Sequence, residues 1–171
     1  MNKFIEIDPA EIQGNPFAMI GKEWMLITAG QPGDLNTMTA SWGGVGIMWN
    51  VPVAAAVVRP SRYTYEFLER EKYYSLSFLD SGCRRALQIC GSRSGRDCNK
   101  VEEAGLTPRT DASAPYFDEA RLVLICRKNY VSDLKPEQFL DPTIETHYTG
   151  ADYHRLYLGE IVKVLLRLEE R

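Results

Sequence analysis

Three short segments hold the residue types and spacings from which a binding chemistry could be built. The first is Arg59-Pro60-Ser61-Arg62-Tyr63-Thr64. It follows an apolar run, Val53 to Val58, and precedes a stretch from Thr64 to Lys72 in which Tyr65 and Leu68 fall at helical spacing, with Glu66 early and Lys72 late. A helix start leaves backbone N–H groups unpaired and carries a partial positive charge, which suits a phosphate. Arg59 and Arg62 add forked donors, Ser61 and Thr64 add hydroxyls, and Pro60 fixes the direction of the bend. The same residues also make a plain helix cap with two solvated arginines, and the segment alone weighs evenly between the two.

The second segment, Gly91-Ser92-Arg93-Ser94-Gly95-Arg96-Asp97-Cys98-Asn99-Lys100, brings small, hydroxyl and basic residues together ahead of a short helix predicted from Asp97 to Gly105. It suits an anion, with Lys100 as a flexible point charge, but the segment alone reads more readily as a polar loop between helices. It lacks the Gly-Lys-Ser/Thr ending of a Walker loop. The third segment is Asn36-Thr37-Met38-Thr39-Ala40-Ser41-Trp42, in which Thr37, Thr39 and Ser41 alternate with Met38, Ala40 and Trp42. That is a strand with one hydroxyl face. Its polar groups can line the edge of a polar aromatic ring, and Trp42 can pack on an apolar surface; a hydroxyl row facing water has the same pattern.

Other reactive residue types point to less. The two histidines are His147 and His154, and a lone histidine is more often packed or solvated than a proton carrier. Cys83, Cys90, Cys98 and Cys126 show neither C-x-x-C redox spacing nor zinc-type pairs. They read as free thiols in a reducing compartment. Asp133, Asp141 and Asp152 read as loop or cap residues.

Elements of the right kind must hold these segments. Strands are predicted at Trp24–Ala29, Thr37–Trp42, Val53–Val58, Tyr73–Leu79, Leu122–Val131 and His154–Leu168, with Gly159 the natural place for a bulge in the last. Val53–Val58 reads as buried on both sides. Besides the Thr64–Lys72 helix, a helix start is predicted at Asp8–Ile12 with Asp8 as cap. Another helix spans Ser81–Cys90, with Ser81 as cap and Gly91 as stop. Gly30 to Leu35 reads as a turn-rich loop, and Gly43-Gly44-Val45-Gly46 as an interruption. Strands joined by short loops favour antiparallel pairing, and a barrel hides their edges; a Rossmann sheet needs a strict β-α alternation that is missing here. The fold class is therefore mainly β with peripheral helices, in one domain over residues 1–171. A net charge of −3 gives no reason to expect nucleic acid or an anionic membrane as partner. An N-terminus without a signal-type apolar stretch, and no apolar run of ~20 residues, point to the cytoplasm.

Taken in order, four segments resemble the flavin reductase-like, FMN-binding split-barrel family of the flavoredoxin type. They are Asn36-x-Met38-Thr39-Ala40-Ser41-Trp42, Arg59-Pro60-x-Arg62-Tyr63-Thr64, Ser94-Gly95-Arg96-Asp97-x-x-Lys100 and His154-x-x-Tyr157-x-Gly159-Glu160-Ile161. The resemblance implies a six-stranded antiparallel split β-barrel and a homodimer with FMN near the subunit interface. It implies Asn36, Thr39 and Trp42, with Met38 and Ser41 of the same segment, near the isoalloxazine and ribityl groups. Arg59, Ser61, Arg62, Tyr63 and Thr64 would form the phosphate side. Ser94 and Lys100 would reach in from the later loop, and His154 would stand near the flavin. Asn99 departs from the acidic residue that many relatives carry before that lysine. No side chain need be a covalent catalyst. NADH or NADPH would deliver hydride to flavin N5, and the electrons would pass to a small-molecule or redox-protein acceptor. The chain has no dinucleotide fingerprint, so the nicotinamide would bind transiently at the exposed flavin face. The competing readings are a non-enzymatic flavin-binding electron-transfer protein and a flavin-free barrel that binds a protein or a phosphate ligand.

Overall fold

Alternation along the strands sorts the side chains of this chain onto the two faces of one antiparallel sheet. The computed structural model describes residues 2–168. Its strands are β1 (Phe4–Ile7), β2 (Met25–Gln31), β3 (Asp34–Ala40), β4 (Gly43–Met48), β5 (Val51–Val58), β6 (Tyr73–Leu79), the short β7 (Pro108–Arg109) and β8 (Tyr116–Phe117), β9 (Ala120–Asp133) and β10 (Arg155–Arg167). Its helices are α1 (Pro16–Ala18), α2 (Tyr63–Arg70), α3 (Arg84–Ser92) and α4 (Lys100–Glu103). The main sheet runs β3-β2-β6-β9-β10-β5-β4, with β1 added on β10, while β7 and β8 pair apart from it.

The path does not close. Its two ends, β3 and β4, are consecutive in the chain and joined only by Ser41-Trp42, so the split of the barrel opens at that dipeptide. Met25, Ile27 and Ala29 of β2, Tyr74, Leu76 and Phe78 of β6, and Leu122, Leu124 and Cys126 of β9 share one core with Met38 of β3 and with Phe67 and Leu68 of α2. The alternate residues Leu26, Val123 and Ile125 pack on the other face against Ala86, Leu87 and Cys90 of α3. The chain thus has two apolar layers, one inside the barrel and one beneath α3. No helix among the described residues is long and apolar enough to cross a membrane.

Strand β10 serves two partners in turn. Arg155–Glu160 pairs with β5 and Val164–Arg167 with β1. Its ladder to β9 slips between Leu158 and Gly159, where the sequence predicts a bulge. Glycine is required there: a Cβ would stand 2.6 Å from the Tyr74 hydroxyl oxygen and 2.9 Å from the Cys126 Cβ.

Local chemistry moves several other predicted boundaries. The Gly30–Leu35 region is a tight hairpin, since β2 and β3 stay paired down to Gln31 and Asp34 and leave only Pro32-Gly33 to turn. Gly43–Gly46 belongs to β4, which pairs with β5 across Trp49-Asn50. Those two residues have φ of 51° and 59°, the left-handed pair of a two-residue hairpin turn. Glycine and outward-facing side chains hide the strand pattern of β4. Strand β5 is not fully buried on both sides as its composition predicts, because Ala55 and Val57 are partly exposed. Ser81 does not cap α3; Ser81–Cys83 forms a 3-10 turn, and the helix proper runs from Arg84 through Gly91 to Ser92. The predicted Asp97 helix shortens to α4, capped by Asn99, whose Oδ1 accepts from the Glu102 N–H at 3.3 Å.

Candidate functional site

The three segments singled out above meet at one end of the barrel, around the edge strand β3. Helix α2 plugs this end with Phe67 and Leu68, which places Thr64 of its first turn, fully buried, opposite Asn36 on the inner face of β3. Asn36, 4% exposed, donates from Nδ2 to the Thr64 Oγ1 at 2.8 Å. Gly95 presses on this pair: a Cβ there would collide with the Asn36 amide and lie 2.9 Å from Tyr63 Cδ1. The glycine of Ser94-Gly95-Arg96 therefore lets the later loop close over Asn36 and Tyr63. Arg96 completes the closure, with its guanidinium 4.8 Å from the Tyr63 ring and hydrogen bonds to the Ser61 carbonyl and to Glu66. The Ser94 hydroxyl stays within its own turn and accepts from the Arg96 N–H.

Two cations converge beside this pair, at the C-terminal end of α3. Arg62 donates to the carbonyls of Gly91 at 3.0 Å and Cys90 at 3.3 Å. Lys100, 3% exposed, reaches the carbonyls of Cys90 at 3.4 Å and Arg93 at 3.3 Å. Helix C-terminal carbonyls carry a partial negative charge and hold cations, but about half a charge does not balance two. No carboxylate among the described residues pairs with Arg62 or Lys100. Burial, and then the nearby Arg62 charge, lower the Lys100 pKa from 10.5 to about 8. Burial, and then Arg59, lower that of Arg62 as well. Burying charge without a counter-ion is costly, and an anion with several acceptor oxygens would offset that cost here. The same burial holds the Cys90 thiol inert, because it disfavours the thiolate and raises the pKa to about 11 despite both cations.

The second part of the site stands at the split. Trp42, 42% exposed, packs between two imidazoles, with ring centroids 5.3 Å from His147 and 5.1 Å from His154. His154 Nδ1 lies 2.8 Å from the Tyr148 hydroxyl. Arg59 faces the Tyr148 ring at 4.9 Å and donates from Nη2 to the His147 carbonyl at 2.7 Å. Trp42 and Ser41 also line a groove of ≈ 380 Å³ with Pro16, Phe17, Ile20 and Gly44. The indole face and its apolar neighbours give a planar aromatic ring a surface to pack on.

His154 is 8% exposed, and burial, with Arg59 adding to it, lowers its pKa from 6.5 to about 4. The ring is neutral at pH 7 and serves as a hydrogen-bonding surface. Because the folded pKa lies below the unfolded one, stability is present above pH 6.5 and is lost as pH falls from 6.5 towards 4. We expect urea unfolding to show about 1–2 kcal/mol of acid-dependent loss between pH 6.5 and 4.5 that His154→Gln lacks. Equal slopes in both proteins would contradict this placement.

Of the predicted site residues, Asn36, Arg62, Tyr63, Thr64, Ser94 and Lys100 are brought together at the cationic end, while Ser41, Trp42, Arg59 and His154 gather at the split. Ser61 lies between the two groups. Thr39 faces the opposite side of β3 from Asn36, and its hydroxyl donates to the Leu87 carbonyl at 2.5 Å, next to Gly91. Because β3 is an edge strand, that side remains adjacent to the cationic end. Met38 is not brought to the site: it is 7% exposed and forms part of the barrel core. Sequence reasoning also passed over Tyr148 and Asp152. Tyr148 carried no signal beyond its place in an aromatic-rich loop. Asp152, which reads in the sequence as a loop or cap residue, accepts from both the backbone N–H and the hydroxyl of Ser61.

Comparison with known proteins follows the same lines. Among solved structures, the chain is similar to an FMN-binding domain of a flavin reductases-like enzyme from Shewanella baltica OS155, with TM-score 0.69, 18% identity, and 96% of this chain and 78% of that one covered. It is similar to flavoredoxin from Methanosarcina acetivorans, with TM-score 0.65, 23% identity, and coverage of 92% and 75%. It is also similar to an NADH:FAD oxidoreductase from Streptomyces globisporus C-1027, with TM-score 0.62, 17% identity, and coverage of 85% and 78%. These likenesses establish the fold. No curated protein matches the sequence. The family profile described as flavin reductase like domain matches residues 18–171, which takes in both ends of the site just described. The chain therefore belongs to the flavin reductase-like family and has its split-barrel fold.

Proposed function

We propose that this protein binds FMN and acts as an NAD(P)H-dependent oxidoreductase. The observation that carries the proposal is the half-buried Arg62 next to the buried Lys100, beside Asn36 and Thr64, with no described carboxylate to neutralise them. A phosphate monoester supplies the missing charge and several acceptors at once. The fit extends to the loop that Gly95 allows to close over Asn36, and to the exposed Trp42 face at the split, where the isoalloxazine ring would lie. When bound, FMN would supply hydride-transfer chemistry at N5, between NADH or NADPH and a small-molecule or redox-protein acceptor. The chain's own residues hold the phosphate, orient the ring against Trp42 and His154, and leave its open face accessible. His154, neutral at physiological pH, backs the ring beside Trp42 without competing for protons. The four cysteines are free thiols, which fits the cytoplasm as the working compartment.

Purified protein saturated with FMN and mixed anaerobically with NADH or NADPH tests this reading. Loss of the oxidised flavin absorption on a turnover timescale is the expected result. A yellow protein inert to both nucleotides would favour an electron carrier, and a colourless protein that takes up no FMN would favour a flavin-free barrel.

We also propose a homodimer. The β4 edge and its turn expose Val45, Ile47, Met48 and Trp49, with Ile47 74% exposed, beside Trp42 at the split. An apolar edge strand of this kind calls for cover by another chain. Ile47→Asp should halve the mass measured by light scattering at micromolar concentration; an unchanged mass would place the interface elsewhere.

A further inference from the structure

The structure holds an internal anion on Ser61, which stands between the cationic end and the split and which the family resemblance puts on the phosphate side. Ser61 lies two residues before α2 begins. Its backbone N–H donates to Asp152 Oδ1 at 3.2 Å and its hydroxyl donates to Asp152 Oδ2 at 2.5 Å. A backbone N–H and an adjacent hydroxyl ahead of a helix form the donor pair that a phosphate oxygen takes at such a turn. Asp152 forms no ion pair with any described basic side chain, so these two donors are what hold its carboxylate. The backbone is bent to deliver it: Gly150 and Ala151, immediately before it, both take left-handed φ, of 66° and 56°. For alanine that conformation costs free energy that a glycine would not incur. The rest of the segment lies on the same loop through Arg59, which donates to the His147 carbonyl at 2.7 Å.

We propose that Asp152 is a specificity-determining residue of the anion site, an internal carboxylate that competes with the flavin phosphate for Ser61. This rests on the reading of the site as an FMN site. A carboxylate and a phosphate dianion cannot share one N–H and one hydroxyl, because each needs the same protons and the two repel at close range. Phosphate binding therefore requires Asp152 to leave. That exchange penalises FMN and leaves riboflavin, which has no phosphate, unaffected. Its consequence is a flavin held loosely enough to leave after reduction. The opposite role, a permanent staple that shapes the loop for FMN, predicts the reverse effect of substitution.

The test measures dissociation constants of FMN and riboflavin for the wild-type protein, Asp152→Asn and Asp152→Ala. Expected is a roughly fivefold to tenfold gain in FMN affinity in both variants, with riboflavin unchanged within about twofold. FMN affinity that is unchanged or weaker, or a gain shared equally by riboflavin, would overturn the proposal. A parallel titration with inorganic phosphate, read at the Ser61 amide by NMR, separates this claim from the flavin reading. If no protein takes up flavin, the FMN reading fails on its own. In that case a Ser61 shift at lower phosphate concentration in Asp152→Asn still supports competition at Ser61, and no shift in any of the proteins overturns it.

Discussion

Arg62→Ala will weaken FMN binding by about 1.5–3 kcal/mol, on the order of tenfold to more than a hundredfold, and change riboflavin binding by less than about twofold. The two flavins share every group except the phosphate, so their difference isolates the phosphate contact. The Arg62 guanidinium donates to the Gly91 and Cys90 carbonyls. Those bonds orient the group and leave further donors on its fork for a ligand oxygen. Truncation also releases the C-terminal end of α3, so a purely structural role would lower both flavins together. Titration of each flavin, followed by quenching of its fluorescence, distinguishes the outcomes.

Lys100 makes the same site sensitive to pH in a direction that can be worked out. Its pKa stands at about 8, lowered by burial first and by Arg62 second. A bound phosphate raises it again by supplying the opposite charge. Affinity gained from the charged ammonium is therefore fully present below pH 8. It is lost as pH rises from 8 towards the higher pKa of the complex. FMN affinity should fall by up to roughly tenfold per pH unit above 8 while riboflavin affinity stays flat. In Lys100→Met that slope should vanish. The same variant should raise the free energy of urea unfolding of the ligand-free protein by about 1 kcal/mol, since it removes a buried charge that has no counter-ion. A lysine whose role is structural would give the opposite sign in the unfolding experiment.

The residues that meet at the site were legible in the sequence more readily than the reason they meet. Arg59–Thr64 stood out because two arginines bracket a predicted helix start. The structure holds Arg62 at the C-terminal end of a different helix, α3, whose carbonyls collect both Arg62 and Lys100. That convergence depends on tertiary packing over a separation that no local pattern carries. Alternation along Thr37–Trp42 finds β3 but not its bounds, which are Asp34–Ala40, and the same alternation places Asn36 and Thr39 on opposite faces, so one flavin edge could not use both from the same side. Met38 falls to the core for the same reason. β4 escaped notice because Gly43, Gly44 and Gly46 carry no hydrophobic period, although pairing with β5 makes this run a strand. Asp152 was invisible as a site residue, since only the left-handed turn at Gly150-Ala151 brings it to Ser61.

A crystal structure of the FMN complex tests the central claim most directly. The flavin phosphate is expected within hydrogen-bonding distance of Arg62 and Lys100, with the isoalloxazine ring at the split beside Trp42. A phosphate seated elsewhere, with the two cations still unneutralised, would contradict the account.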